Sequence, residues 1–157
     1  MSALFRLYRA QAEQFFAIIR CELLPEALVQ LKKYAVFSKV TFTELDTPLF
    51  GVANATTLAN LSENATALVL SCAQKRAIVW GETLTTHGES ALWDLADIQD
   101  GLPILAKANQ FELIPQAANL QAVENAISFT KGCYIGQETV ARAKYRGANK
   151  RAMFILV

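Results

Sequence analysis

The residues best placed for chemistry lie in "FTKGCYIGQETVARAKYRG", Phe129 to Gly147, where Cys133 has Gly132 before it, Gly136 three residues after it and Lys131 two residues back. A structural cysteine usually sits in an apolar run and packs as a small hydrophobe, and this setting displays the thiol instead. The pattern from Gln137 to Arg146, closed by Gly147, predicts a helix, with Glu138 and Arg142 four apart in the favourable order for an ion pair. A thiol just ahead of a helix N-terminus, with a lysine beside it, is in a field that favours the thiolate. The same glycines would also allow a tight turn whose cysteine fills a small hole. The residues alone leave both readings open.

A second set of candidates lies on a helix opened by Ser90 and stopped by Gly101 and Pro103. Leu92, Leu95 and Ala96 share one face of it, expected to be the core face, while Trp93 and Asp97 share another that could line a site.

The elements that must position these groups follow from period and punctuation. Leu4–Tyr8 and Phe15–Arg20 read as a hairpin. Pro25 starts a helix with Leu24, Leu28, Leu31 and Ala35 at helical spacing. Val40–Thr43 alternates as a strand, and Leu49–Ala53, a short helix over Thr57–Leu61, Ala67–Cys72 and Arg76–Gly81 make a β-α-β-β block. Asn109–Asn125 reads as an irregular connection, and Ile127–Phe129 as an extended segment.

Bulk properties exclude several classes. The 157 residues are 53% hydrophobic and 18% charged, enough to bury a core and incompatible with disorder. Net charge is +1, but Glu82–Glu112 carries six acids against Lys107 alone, and Phe129–Val157 six bases against Glu138 alone. Such a basic helix is most often a solvated face, and few aromatics interleave with its bases in sequence, so direct nucleic-acid binding ranks last among the expectations. Cysteines at 21, 72 and 133 form no CxxC, and with the single His87 they give no zinc spacing, so no metal site is expected. An odd, widely spaced set suits a reducing compartment, and no stretch reads as a signal peptide or membrane span; a cytoplasmic location is expected. The apolar "AMFILV" at one end and the strand-like start at the other suggest a piece of a longer protein.

"KGCYIGQE", Lys131 to Glu138, resembles the hallmark of the YgfZ-type folate-binding proteins, relatives of the glycine-cleavage aminomethyltransferases. The resemblance extends through "LKKYAVFSKV" (Leu31–Val40), "IPQAANLQA" (Ile114–Ala122) and "ISFTKGCYIGQETVARAKYRGANKRA" (Ile127–Ala152). It implies an α+β, aminomethyltransferase-like folate-binding fold, incomplete here, with residues 1–46 and 90–157 as discontinuous parts of the folate-binding domain and 47–89 as the inserted β-α-β-β subdomain. It further implies a tetrahydrofolate cofactor and a role in supporting iron–sulfur cluster assembly or repair, and through it tRNA modification. Expected partners are folate, iron–sulfur proteins such as a tRNA-modifying enzyme, and the remainder of its own chain.

By the same resemblance Cys133 is the essential cysteine, Lys131 its neighbouring lysine, and Trp93 a folate-contacting tryptophan. Related aminomethyltransferases often carry Glu where this chain has Gln99, whose amide can hydrogen-bond a pterin but cannot pair with a charge. A second folate-contacting tryptophan of the family belongs to an N-terminal part outside this chain. Two alternatives stand beside this reading. One is an aminomethyltransferase passing a one-carbon unit to tetrahydrofolate, which needs no cysteine here; the other is an RNA-binding module using Arg142–Arg151. Whether any reaction is catalysed, and the chemical role of Cys133, stay open at this level.

Overall fold

The computed structural model describes residues 1–156. It is a mixed α and β protein with two small antiparallel sheets. Contacts divide the chain into two compact units, one formed by Met1–Val40 with the described residues from Leu102 onward, the other by Thr41–Gly101. The family resemblance implies divisions at 46 and 90; the contacts divide the chain at 40 and 101 and group residues 90–99 with the smaller unit. Among the described residues no helix is long and apolar enough to cross a membrane.

In the first unit, β1 (Phe5–Gln11) and β2 (Gln14–Ile19) pair as the expected hairpin, from Phe5 opposite Ile19 to Gln11 opposite Gln14, with an irregularity between Arg9 and Gln11. Tyr8 and Phe16, directly opposite one another, stack at 6.4 Å. A single 3₁₀ turn, Cys21–Leu23, leads into α1 (Leu24–Tyr34), which takes Pro25 in its first turn, where a missing N–H costs nothing. Its buried anchors are Leu23 and Ala27, while Leu31, expected inside, is exposed.

The second unit is a β-α-β-β chain: β3 (Phe50–Val52), α2 (Ala55–Ala59), β4 (Thr66–Leu70) and β5 (Arg76–Trp80), followed by α3 (Ser90–Gln99). The sheet order is β3-β5-β4, so β5 is the central strand and its first four residues are buried. Asn54 caps α2 by accepting from the Thr56 and Thr57 N–H groups at 2.8 and 3.1 Å. One sheet face carries Val52, Ala77 and Val79, packed with Leu58 and Leu61 and forming the core of this unit. The other face carries Arg76 and Ile78, because side chains alternate along a strand.

Four expectations are corrected. Val40–Thr43 forms no strand; it acquires no ladder partner, and the Val40 N–H closes instead on the Ser38 carbonyl at 2.8 Å. Ile127–Phe129 is a series of bends rather than an extended segment. Ser90 is the first helical residue of α3, with Glu89 at the cap position and no side-chain cap bond. The described part of "AMFILV", residues 152–156, has no regular structure, and Val157 lies outside the described residues.

Candidate functional site

The sequence candidates fall in two places: Lys131 and Cys133 in the first unit, Trp93 and Gln99 in the second. Each is built by a different kind of local structure.

The cysteine segment is a loop docked onto a helix. Helix α4 (Gln137–Arg146) has the bounds expected from sequence and is closed by Gly147. Gly136 occupies its N-cap position at φ +83°, a left-handed conformation that glycine adopts without the Cβ penalty. That reversal lets the Gln137 N–H reach the Tyr134 carbonyl at 3.2 Å and the Val140 N–H reach the Gly136 carbonyl at 3.2 Å. Cys133 lies four residues ahead of the first helical residue and is exposed. Lys131 is exposed as well: its backbone N–H donates to the Ser128 hydroxyl at 3.2 Å, and its ammonium lies 4.2 Å from the centre of the Tyr134 ring. The lysine is therefore held against the residue next to the thiol.

Helix α4 is seated by the "IPQAANL" segment, which sequence reading left as an irregular connection. Residues Pro115–Ala118 form a 3₁₀ turn with Gln116, Ala117 and Ala118 buried, and Val140 and Ala143 are the buried residues of α4. The Gln116 side-chain amide donates to the Val140 carbonyl at 2.8 Å. A buried side chain that hydrogen-bonds helix backbone fixes both translation and rotation of that helix, so Gln116 sets where the cysteine loop begins. The signal available in sequence was a lone amide inside an apolar, proline-opened run.

The outer surface of α4 gathers aromatic rings that are dispersed in sequence. The Lys144 ammonium lies 3.5 Å from the centre of the Phe129 ring and 5.2 Å from that of Tyr145, and the two rings meet edge to face at 6.4 Å. Arg142 pairs with Glu138 at 2.6 Å, as the spacing predicted.

Trp93 and Gln99 both belong to α3, whose orientation reverses the expectation. Leu92, Leu95 and Ile98 are exposed, whereas Asp97 is only 2% exposed and Trp93 is half-buried. The reason is Arg76, the first residue of β5, which is fully buried. Its guanidinium donates to Asp97 at 3.0 Å and to Asp100 at 2.6 Å, and lies 4.6 Å from the centre of the Trp93 ring. A buried guanidinium left unpaired costs several kcal/mol, so the helix must turn its two carboxylates inward, and Trp93 comes with them. Neither Arg76 nor Asp100 was singled out from sequence, although a lone arginine opening the apolar strand "RAIVW" and two acids three apart on a helix were legible signs of such a pairing.

Burial works to raise the Asp100 carboxyl, but hydrogen bonds from Arg76 and the Cys72 thiol, together with the guanidinium charge, outweigh it and hold the carboxyl below its ordinary value. Cys72, half-buried, donates to the Gln74 carbonyl at 2.8 Å; burial first, then the charge of Asp100, push its thiol up against the opposing pull of Arg76. Cys72 is half-buried, while Cys21 and Cys133 are both exposed.

Gln99 is exposed at the C-terminal end of α3, and its amide offers both donors and an acceptor. The partly uncovered Trp93 ring and this amide are of the right kind for a flat, polar heteroaromatic ring: one supplies stacking area and the other direction.

No family model matches the chain. Curated relatives do. A protein of Haemophilus influenzae described as uncharacterized is 52% identical over 99% of this chain and 55% of its own length. The tRNA-modifying protein YgfZ of Vibrio atlanticus is 44% identical over 82% of this chain and 46% of its own length, and that of Yersinia pseudotuberculosis 41% identical over 95% and 53%. The chain spans about half the length of these relatives. It carries the cysteine loop, its helix and the seat of that helix, and at this identity over most of its length the chain is of the YgfZ type.

Proposed function

We propose that the protein to which this chain belongs is a cytoplasmic, tetrahydrofolate-binding accessory factor that supports iron–sulfur cluster assembly or repair, and thereby tRNA modification, through the thiol of Cys133. The observation that carries the proposal is the presentation of Cys133: exposed, free of any disulfide, and ahead of a glycine-capped helix, in a loop where the Lys131 ammonium rests on the ring of the next residue, Tyr134. A thiol buried for packing needs none of these features. Two YgfZ relatives bear tRNA-modifying names, which supports the downstream half of the reading.

Folate, when bound, supplies a one-carbon carrier. Toward it this chain contributes Trp93 as a stacking surface and Gln99 as a hydrogen-bonding amide. Lys131 holds its positive charge on the ring of Tyr134, the residue that follows Cys133, and Gln116 fixes the helix behind the loop. The clients are iron–sulfur proteins, among them a tRNA-modifying enzyme.

The test is Cys133→Ser in the full-length protein. It should keep tetrahydrofolate affinity yet fail to restore an iron–sulfur enzyme's activity in cells lacking the protein. Full restoration by the serine variant would remove the thiol from the mechanism.

A second reading, direct contact with RNA through α4, is favoured by one observation: the fold brings Phe129 and Tyr145 onto Lys144, supplying the aromatic–basic surface that the linear sequence lacked. Tyr145→Ala should then weaken binding of a single-stranded RNA by the full-length protein several-fold. Unchanged binding would dismiss it.

A further inference from the structure

Trp93 is supported from the sheet at two points. Gly51 on β3 pairs with Ile78 on β5, and residues directly opposite in an antiparallel pair face the same side. Arg76 is two residues from Ile78 along β5 and so faces that side too. The absent side chain of Gly51 and the present side chain of Arg76 are therefore neighbours on one face, and Trp93 of α3 lies against both. A Cβ at Gly51 would overlap Cε3 and Cζ3 of the Trp93 ring and press on its Cδ2, so the ring would have to move. The guanidinium lies 4.6 Å from the ring centre, and it is itself fixed by Asp97 at 3.0 Å and Asp100 at 2.6 Å. The glycine provides a hollow, and the arginine provides a cation held by a forked pair of carboxylates.

We propose that Gly51 and Arg76 are positioning residues that set the indole of Trp93 before any ligand arrives, with Asp97 and Asp100 holding Arg76 in place. This rests on the reading of Trp93 as a stacking surface and adds what makes that surface rigid. A ring fixed in advance loses little freedom when a second ring stacks on it, so its support contributes to affinity without touching the ligand. A packing-only purpose would be met by an apolar strand residue in place of Arg76, with neither carboxylate needed. Lysine is not equivalent, since a point charge cannot fork to two carboxylates while lying flat near an indole.

The experiment uses full-length protein labelled with 5-fluorotryptophan, in which Trp80 serves as the reference signal beside Trp93. Gly51→Ala and Arg76→Lys should each shift and broaden the Trp93 fluorine resonance while the protein stays folded, and each should weaken tetrahydrofolate binding about tenfold. In the Trp93→Ala background Gly51→Ala should change the affinity no further. Arg76→Lys also covers the case in which Gly51→Ala fails to fold. An unmoved Trp93 resonance in the folded variants would overturn the positioning. The two readings fail separately. If Trp93→Ala leaves tetrahydrofolate affinity unchanged while Gly51→Ala still moves the resonance, the positioning stands and the stacking reading falls.

Discussion

Two arginines in this molecule each approach a carboxylate oxygen at 2.6 Å, and they do different work. Arg76 meets Asp100 with both side chains almost completely buried, at 1% and 4% exposure, whereas Arg142 meets Glu138 with 60% and 76% exposed. Distance does not separate them; solvent does. In water the Arg142 pair is screened and must hold two long side chains in one geometry, leaving a net contribution of about 0.3 to 0.5 kcal/mol. In the interior Arg76 has no water to fall back on, so its carboxylates are structural requirements, and they decide which face of α3 turns inward. The buried cluster organises the smaller unit; the exposed pair decorates a helix already fixed by Gln116 and its apolar face.

The largest expected effect tests that contrast directly. Arg76→Met leaves two buried carboxylates without a cation and should destabilise the protein by about 3 kcal/mol or more in urea unfolding, while Arg142→Met should cost no more than about 0.5 kcal/mol. Equal losses would mean that burial is not what distinguishes the pairs.

A smaller effect comes from pH. Asp100 is held below the ordinary carboxyl value of 3.8, so its contribution is fully present above that value and is lost as pH falls through its depressed folded-state value. Wild-type protein should therefore lose stability below about pH 4 more steeply than Asp100→Asn, and the gap between them should close as acid increases. Urea midpoints across pH 6 to 3 measure it; parallel curves would show that the Asp100 carboxylate is not coupled to folding.

The same contrast explains what the sequence made legible. Helix α4 has the expected bounds because its signals are local: glycines at both ends and an acid–base pair at i, i+4. Helix α3 was placed within a residue, yet its inward face was misjudged, because Leu92 and Leu95 look like a core stripe and the partner that overrides them, Arg76, lies 21 residues from Asp97. Local periodicity cannot register a buried cation on another element. The strand read at Val40–Thr43 failed for a related reason, since alternation proposes a strand and only a partner makes one. Of the site, the exposure of Cys133 was legible from its flanking glycines, whereas the seat of its helix on Gln116 was not.

The smallest effect concerns the exposed region and how the cysteine loop is held. Gly136 sits at φ +83° with no heavy atom within 4 Å of where a Cβ would be, so alanine there meets no clash and only conformational strain. That strain is about 1 kcal/mol, and Gly136→Ala should lower stability by roughly that amount. The loop has a second option: it can relax the strain by giving up the turn in which the Tyr134 carbonyl takes the Gln137 N–H. In that case amide exchange should quicken at Gln137 while the Val140 amide, on the turn seated by Gln116, stays protected. Wild-type stability together with wild-type protection at both amides in the Gly136→Ala protein would show that the left-handed glycine is dispensable, and that something other than the helix cap holds Cys133 where it is.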